Sequence, residues 1–214
     1  MKVGILGTGM VGGALGSKLI RLGHEVKMGS RTANNEKAVG WAKKNGDHAS
    51  FGTFADAASF GEVVFNCTAG TVSLAALNSA GASNLKGKVL VDVANPLDFS
   101  KGMPPTLSVC NSDSLGEQIQ RALPSVKVVK ALNTMNCSVM VEPTLVPGKH
   151  DVFVCGNDPQ AKITVVNILK SFGWQSIIDL GDITAARGTE MVLPMWLRLL
   201  GLYQTPHFNF RIAR

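Results

Sequence analysis

Gly7, Gly9 and Gly12 stand in the spacing G-x-G-x-x-G, with Thr8, Met10 and Val11 among them. Each glycine leaves room that a β-carbon would close. The first permits a sharp turn, the second lets an anion touch the backbone, and the third lets a helix pack close on the strand before it. Free N–H groups at a helix start, with the positive end of the helix dipole, bind phosphate. About twenty residues further on, where an acidic side chain would take a ribose 2′-hydroxyl, the chain reads Met28-Gly29-Ser30-Arg31-Thr32. A guanidinium can hold a phosphate with paired hydrogen bonds and stack on adenine. Ser30 adds a hydroxyl donor, and Gly29 is a small residue making room. This pattern predicts a dinucleotide carrying an extra ribose phosphate, NADP(H) rather than NAD(H). Lys37 could add charge to the same phosphate or simply be solvated.

Further candidates follow three later strands. Thr68 and Ala69 follow the fourth, Asn95 and Pro96 the fifth, and Asn133 and Thr134 the sixth. In open α/β sheets ligands lie outside the carboxyl ends of the strands, so these residues are expected near the reactive ring. The two asparagines could hold a carboxamide or an acceptor ring, or could cap loops, as asparagine often does. No strong acid–base pair emerges; Lys130 and Glu190 are the only candidates.

The elements that must position these residues alternate along the chain. A short apolar run (residues 3–6) reads as a buried strand. The next helix carries Val11, Leu15, Leu19 and Leu22 on one face and stops at Gly23. A helix bearing Ala38, Trp41 and Ala42 ends at Asn45-Gly46, followed by a strand over 49–51 and a Thr53-capped helix over 54–59. Strands are expected at 63–67, 88–93, 127–131, 152–155 and 175–180. Helices are expected at 71–80, at 115–123 behind a Ser114–Glu117 capping box, and from Pro159 to Phe172 behind Asp158. Residues 97–113 and the segment containing Pro143 and Pro147 read as irregular. An apolar helix over 184–203, bent at Pro194, would close the sheet or pack on a second subunit. The expectation is an α/β fold, a Rossmann-type doubly wound and mainly parallel sheet in a single domain. It spans residues 1–214, with a dinucleotide-binding core over 1–150 and a strand–helix extension over 151–214.

Composition bounds the alternatives. The 214 residues are 45% hydrophobic and 17% charged, with a net charge of +6. A basic balance favours an anionic ligand. Scattered lysines and arginines and a single tyrosine argue against nucleic acid. Cys67, Cys110, Cys137 and Cys155 form no C-x-x-C pair, and the four histidines are isolated, so neither a disulfide framework nor a metal site is indicated. A strand beginning at Lys2 leaves no room for a signal peptide, and the apolar run near the end contains Arg198. A cytoplasmic protein that spans no membrane is expected, with a homodimer formed through the last helix.

Gly7-Thr8-Gly9-Met10-Val11-Gly12, Gly29-Ser30-Arg31, the run from Val128 to Thr134 and Val154-Cys155-Gly156-Asn157-Asp158 together resemble the NADP oxidoreductase, coenzyme F420-dependent family. The reductase domains of the STEAP metalloreductases are similar. The resemblance covers nearly the whole chain. It implies hydride transfer between NADPH and a flavin-like ring, with Thr8 to Val11 at the pyrophosphate and Ser30 and Arg31 at the 2′-phosphate. The acceptor ring would lie beside Asn95, Pro96, Asn133 and the final helix. Archaeal F420 enzymes tend to have histidine where this chain has Asn133, which is closer to the metalloreductase form. The acceptor could be coenzyme F420, FMN or FAD, or another small molecule. Two alternatives remain open at this point: an NADPH-dependent reductase of a small carbonyl or imine, and a non-catalytic NADP(H)-binding sensor.

Overall fold

The computed structural model describes residues 1–213. Its main sheet is built from β1 (Lys2–Leu6), β2 (Glu25–Ser30), β3 (Ala49–Thr53), β4 (Val63–Asn66), β5 (Val89–Asp92), then β8 (Lys127–Ala131), β9 (Asp151–Gly156) and β10 (Ser176–Asp179), with a separate two-residue pair, β6 (Leu97–Asp98) and β7 (Thr106–Leu107). The eight-stranded order is β10-β9-β8-β5-β4-β1-β2-β3. The order reverses beside β1, which runs parallel to both β2 and β4 and so marks the switch point.

Helices cover both faces. On one lie α1 (Met10–Arg21), α2 (Glu36–Asn45), α7 (Cys137–Val141) and α8 (Pro159–Phe172); on the other lie α3 (Phe54–Phe60), α4 (Gly70–Ala80), α5 (Ala82–Leu85), α6 (Leu115–Ala122) and α9 (Ala186–Met191), with α10 (Leu193–Tyr203) following. α1 buries Leu15 and Leu19, and α8 buries Ala161, Val165, Ile168, Leu169 and Phe172, the spacing of one helical face. Each large apolar side chain so removed from water contributes about 1.5–3 kcal/mol. α8 starts where Asp158 accepts from the Ala161 N–H and stops at Gly173, whose φ of 105° suits a residue without a β-carbon.

The main sheet is mainly parallel, as expected; its one antiparallel pairing is β9 on β8, because the chain turns back over the carboxyl end of β8 and enters β9 from that same end. Several other expectations need correction. The connection expected to be irregular contains α7, capped by Asn136 and burying Val139, Met140 and Val141. Five residues are too few to show a helical period in sequence. The 97–113 stretch is not wholly irregular, since β6 and β7 pair within it. Only half of the Ser114–Glu117 box forms: Ser114 Oγ accepts from the Glu117 N–H, while the Glu117 carboxylate accepts from Ser114 Oγ and from Arg187. The single bent helix over 184–203 is instead a short 3-10 turn (Ile183–Ala185), α9 and α10. Pro194 lies in the first turn of α10, where its missing N–H costs nothing, rather than at a mid-helix bend. Of α10, only Leu193 and Trp196 are buried. Beyond it the chain folds back: Phe208 stacks on Trp196 at 5.3 Å, and the Phe210 carbonyl accepts from the Asp151 N–H. No described helix is long and apolar enough to cross a membrane.

Candidate functional site

The three glycines occupy the turn between β1 and α1, and each meets a different constraint. Gly7 has φ 119°, and a β-carbon on it would lie 2.7 Å from the Cys67 carbonyl oxygen. A β-carbon on Gly12 would lie 2.2 Å from the Gly7 carbonyl oxygen. One on Gly9 would meet nothing within 4 Å. Gly9 caps α1 without a side-chain acceptor, and Met10 beside it is 82% exposed. The turn is therefore closed on its protein side and open outward, with first-turn N–H groups of α1 available to an anion. Gly12→Ala should cost about 1–3 kcal/mol of stability through overpacking. Gly9→Ala should leave the melting temperature in place and weaken only anion binding. Thermal unfolding and coenzyme titration of both variants check this contrast.

The end of β2 departs in part from expectation. A β-carbon on Gly29 would lie 2.8 Å from the Ala57 β-carbon and 2.9 Å from the Thr53 carbonyl oxygen, so Gly29 makes room for α3, not for a phosphate. Ser30 is buried, and its hydroxyl donates to the Thr32 carbonyl at 2.5 Å. Arg31 and Lys37 are exposed. Arg31 takes part in no ion pair formed among the described residues.

At the carboxyl ends of β4, β5 and β8 the candidate residues are tied together. Thr68 Oγ1 bonds Asn66 Oδ1 at 2.7 Å and Ser73 Oγ at 2.9 Å. Ala69 caps α4 without a side-chain bond, and a β-carbon on Gly70 would lie 2.1 Å from the Asn95 carbonyl oxygen, so α4 begins hard against the end of β5. Asn95 Nδ2 donates to the Asn133 carbonyl at 2.7 Å, and Asn133 Nδ2 donates to Asn95 Oδ1 at 2.9 Å and to the Thr189 carbonyl at 3.0 Å. The two asparagines thus clasp each other and anchor α9. Pro96 and Thr134 are buried, and the Pro96 carbonyl accepts from Ser108 N–H at 2.8 Å.

Beneath this clasp lies a sealed ionic cluster. Lys130 Nζ is 2.7 Å from Asp92 Oδ2 and 2.7 Å from Glu190 Oε1, with side-chain exposures of 0% for Lys130 and Asp92 and 1% for Glu190. Lys130 also donates to the Ala94 carbonyl at 2.6 Å. Glu190 accepts from the N–H groups of Leu115 and Gly116 at the start of α6, at 2.8 and 3.0 Å. Asp92 Oδ1 accepts from Asn66 Nδ2 at 2.9 Å. Burial alone would lower the Lys130 ammonium, yet the two carboxylates outweigh it and hold the group above its ordinary value. Burial pushes the Glu190 carboxyl up, opposed by Lys130 and by the Leu115 N–H. No acid–base pair was expected, and the two candidates named for one do not supply it: a buried lysine and glutamate bonded to each other cannot exchange protons with a substrate. Sequence reading missed Asp92. Its signal was one acid ending an apolar strand and one base in another, which the parallel register sets side by side as Asp92 and Lys130.

Comparison with known proteins gives a consistent result. The family described as NADP oxidoreductase coenzyme F420-dependent matches residues 2–96. An F420-dependent NADP reductase from Methanocaldococcus jannaschii is 31% identical over 224 residues, covering 100% of this chain and 98% of the archaeal one. A crystal structure from Arthrobacter sp. FB24, assigned as an F420 dependent NADP-reductase, is 55% identical with a TM-score of 0.96, covering 100% of both chains. The metalloreductase STEAP3 of Rattus norvegicus is 31% identical over 214 residues, covering 94% of this chain and 40% of that longer protein.

Proposed function

The chain belongs to the NADP oxidoreductase, coenzyme F420-dependent family, and from that premise we propose that it transfers a hydride between NADP(H) and a deazaflavin or flavin ring, coenzyme F420 first among the candidates. When bound, the two rings supply the redox chemistry between themselves, once stacked with donor and acceptor carbons near contact. The protein's share is binding and orientation. Gly7, Thr8, Gly9, Met10, Val11 and Gly12 would hold the pyrophosphate against the start of α1; the open space at Gly9 supports this fit. Arg31 would grip the 2′-phosphate, with Ser30 shaping the loop through its bond to Thr32. Thr68, Ala69, Asn95, Pro96 and Asn133 would face the nicotinamide and the acceptor. The exposed apolar side chains of α9 and α10, Met191, Met195, Leu202 and Tyr203, support a homodimer formed through this end of the chain.

The observation that carries the reading is the sealing of Lys130 and Glu190. A carbonyl or imine reductase needs a proton donor at the reacting atom, and the two candidate donors are locked in the cluster. Ring-to-ring hydride transfer makes no such demand. Purified protein mixed with NADPH should bleach F420 absorbance, or reduce FMN or FAD, with saturable kinetics. Failure with all three acceptors would remove the proposal.

A further inference from the structure

The Asp92–Lys130–Glu190 cluster carries two carboxylates and one ammonium, so it holds one net negative charge inside the protein. Both acids pair with the one ammonium. Each has a carboxylate oxygen 2.7 Å from Lys130 Nζ, and Glu190 accepts two backbone N–H bonds besides. On and beside α6 and α9, charged groups pair with one another: Arg187 holds Glu117, and Arg121 holds Asp113. The partial positive charge at the start of α6 falls on Glu190 and offsets only part of the excess.

Each arm of the cluster ends on a residue proposed to face the reacting ring. Asp92 is bonded to Asn66, whose Oδ1 takes the Thr68 hydroxyl. Lys130 holds the Ala94 carbonyl, one residue before Asn95. Glu190 follows Thr189, whose carbonyl holds Asn133. Two thiols register the local field: burial and Asp92 push the Cys67 thiol up, and burial with nearby carboxylates pushes Cys155 up to about 12 despite Lys130.

We infer that this cluster is an electrostatic positioning device which makes the site favour the oxidised, positively charged nicotinamide over the reduced, neutral one. The inference rests on the hydride-transfer reading above. Departure of the hydride with both electrons of its C–H bond to the acceptor ring, which takes its proton from water, leaves one positive charge on the nicotinamide. A fixed negative charge beneath the site favours that product, and the buried polar surroundings keep water from screening it. Asp92, Lys130 and Glu190 do not touch the ring; they act through the field and through the three residues they anchor.

The test is the ratio of dissociation constants for NADP⁺ and NADPH, measured by equilibrium titration without any acceptor. Glu190→Gln makes the cluster neutral, and Asp92→Asn does the same from the opposite side. Either variant should loosen NADP⁺ relative to NADPH by about tenfold, the scale of one unit charge acting through a protein medium of effective dielectric about 20. That tenfold change corresponds to a shift of about 30 mV in the bound couple. A purely structural role would weaken both forms alike, and an unchanged ratio in either folded single variant overturns the inference. A wild-type protein that binds neither form would instead defeat the underlying functional reading, so the two failures are distinguishable.

Discussion

Lys130→Met should destabilise the protein by about 3–5 kcal/mol, the cost of removing one partner from a buried ionic cluster. The substitution conserves much of the side chain's volume, so little of the loss comes from a cavity. The loss comes from Asp92 and Glu190, which would share a sealed space without the ammonium that lies 2.7 Å from each. Like charges so placed raise each other's affinity for protons. The deficit should therefore be largest at neutral pH and shrink as pH falls and one carboxyl takes up a proton. Adding Glu190→Gln removes one of the stranded charges, and the double variant should recover part of the loss. Chemical denaturation of wild type and both variants at neutral and mildly acidic pH checks the pattern. A single variant as stable as wild type would show that the cluster holds nothing together.

Arg31→Ala should weaken NADPH binding by roughly 1.5–3 kcal/mol, the range for a lost charge-assisted hydrogen bond, while leaving NADH affinity nearly unchanged. The side chain is exposed at the end of β2 and outside the ion pairs formed among the described residues, so its removal should not disturb folding. Ser30→Ala should act more mildly on the phosphate, because the Ser30 hydroxyl already donates to Thr32. Its main effect should come through the loop conformation that presents Arg31. Paired titrations with NADPH and NADH separate these outcomes. Equal losses for both coenzymes would mean that Arg31 supports the loop rather than reading the phosphate.

Much of the architecture was legible because local signals agreed. Apolar runs gave the strands, Thr53 and Asp158 marked helix starts, and Gly23, Gly46 and Gly173 marked stops. The glycine turn was equally readable, since Gly7 and Gly12 meet backbone atoms that admit no β-carbon. What escaped depends on long-range pairing. The reversal of β9 follows from where a nineteen-residue connection, 132–150, returns the chain, which no local pattern states. α7 is short and held by burial against α1, not by its own periodicity. Gly29 looked like space for a ligand because sequence does not say which face α3 will cover. Lys130 and Glu190 stood as candidate proton carriers because a separation of 60 positions hid their contact, and with it the third member, Asp92. The clasp of Asn95 and Asn133 likewise joins loops 38 residues apart.

Selectivity for NADP(H) turns on the coenzyme's extra phosphate lying at the end of β2. A crystal structure of the protein with NADPH tests that claim most directly. The pyrophosphate should rest on the backbone of Gly9 to Val11, and the 2′-phosphate should lie within hydrogen-bond reach of the Arg31 guanidinium. A dinucleotide bound elsewhere, or a 2′-phosphate pointing into solvent away from Arg31, would contradict it.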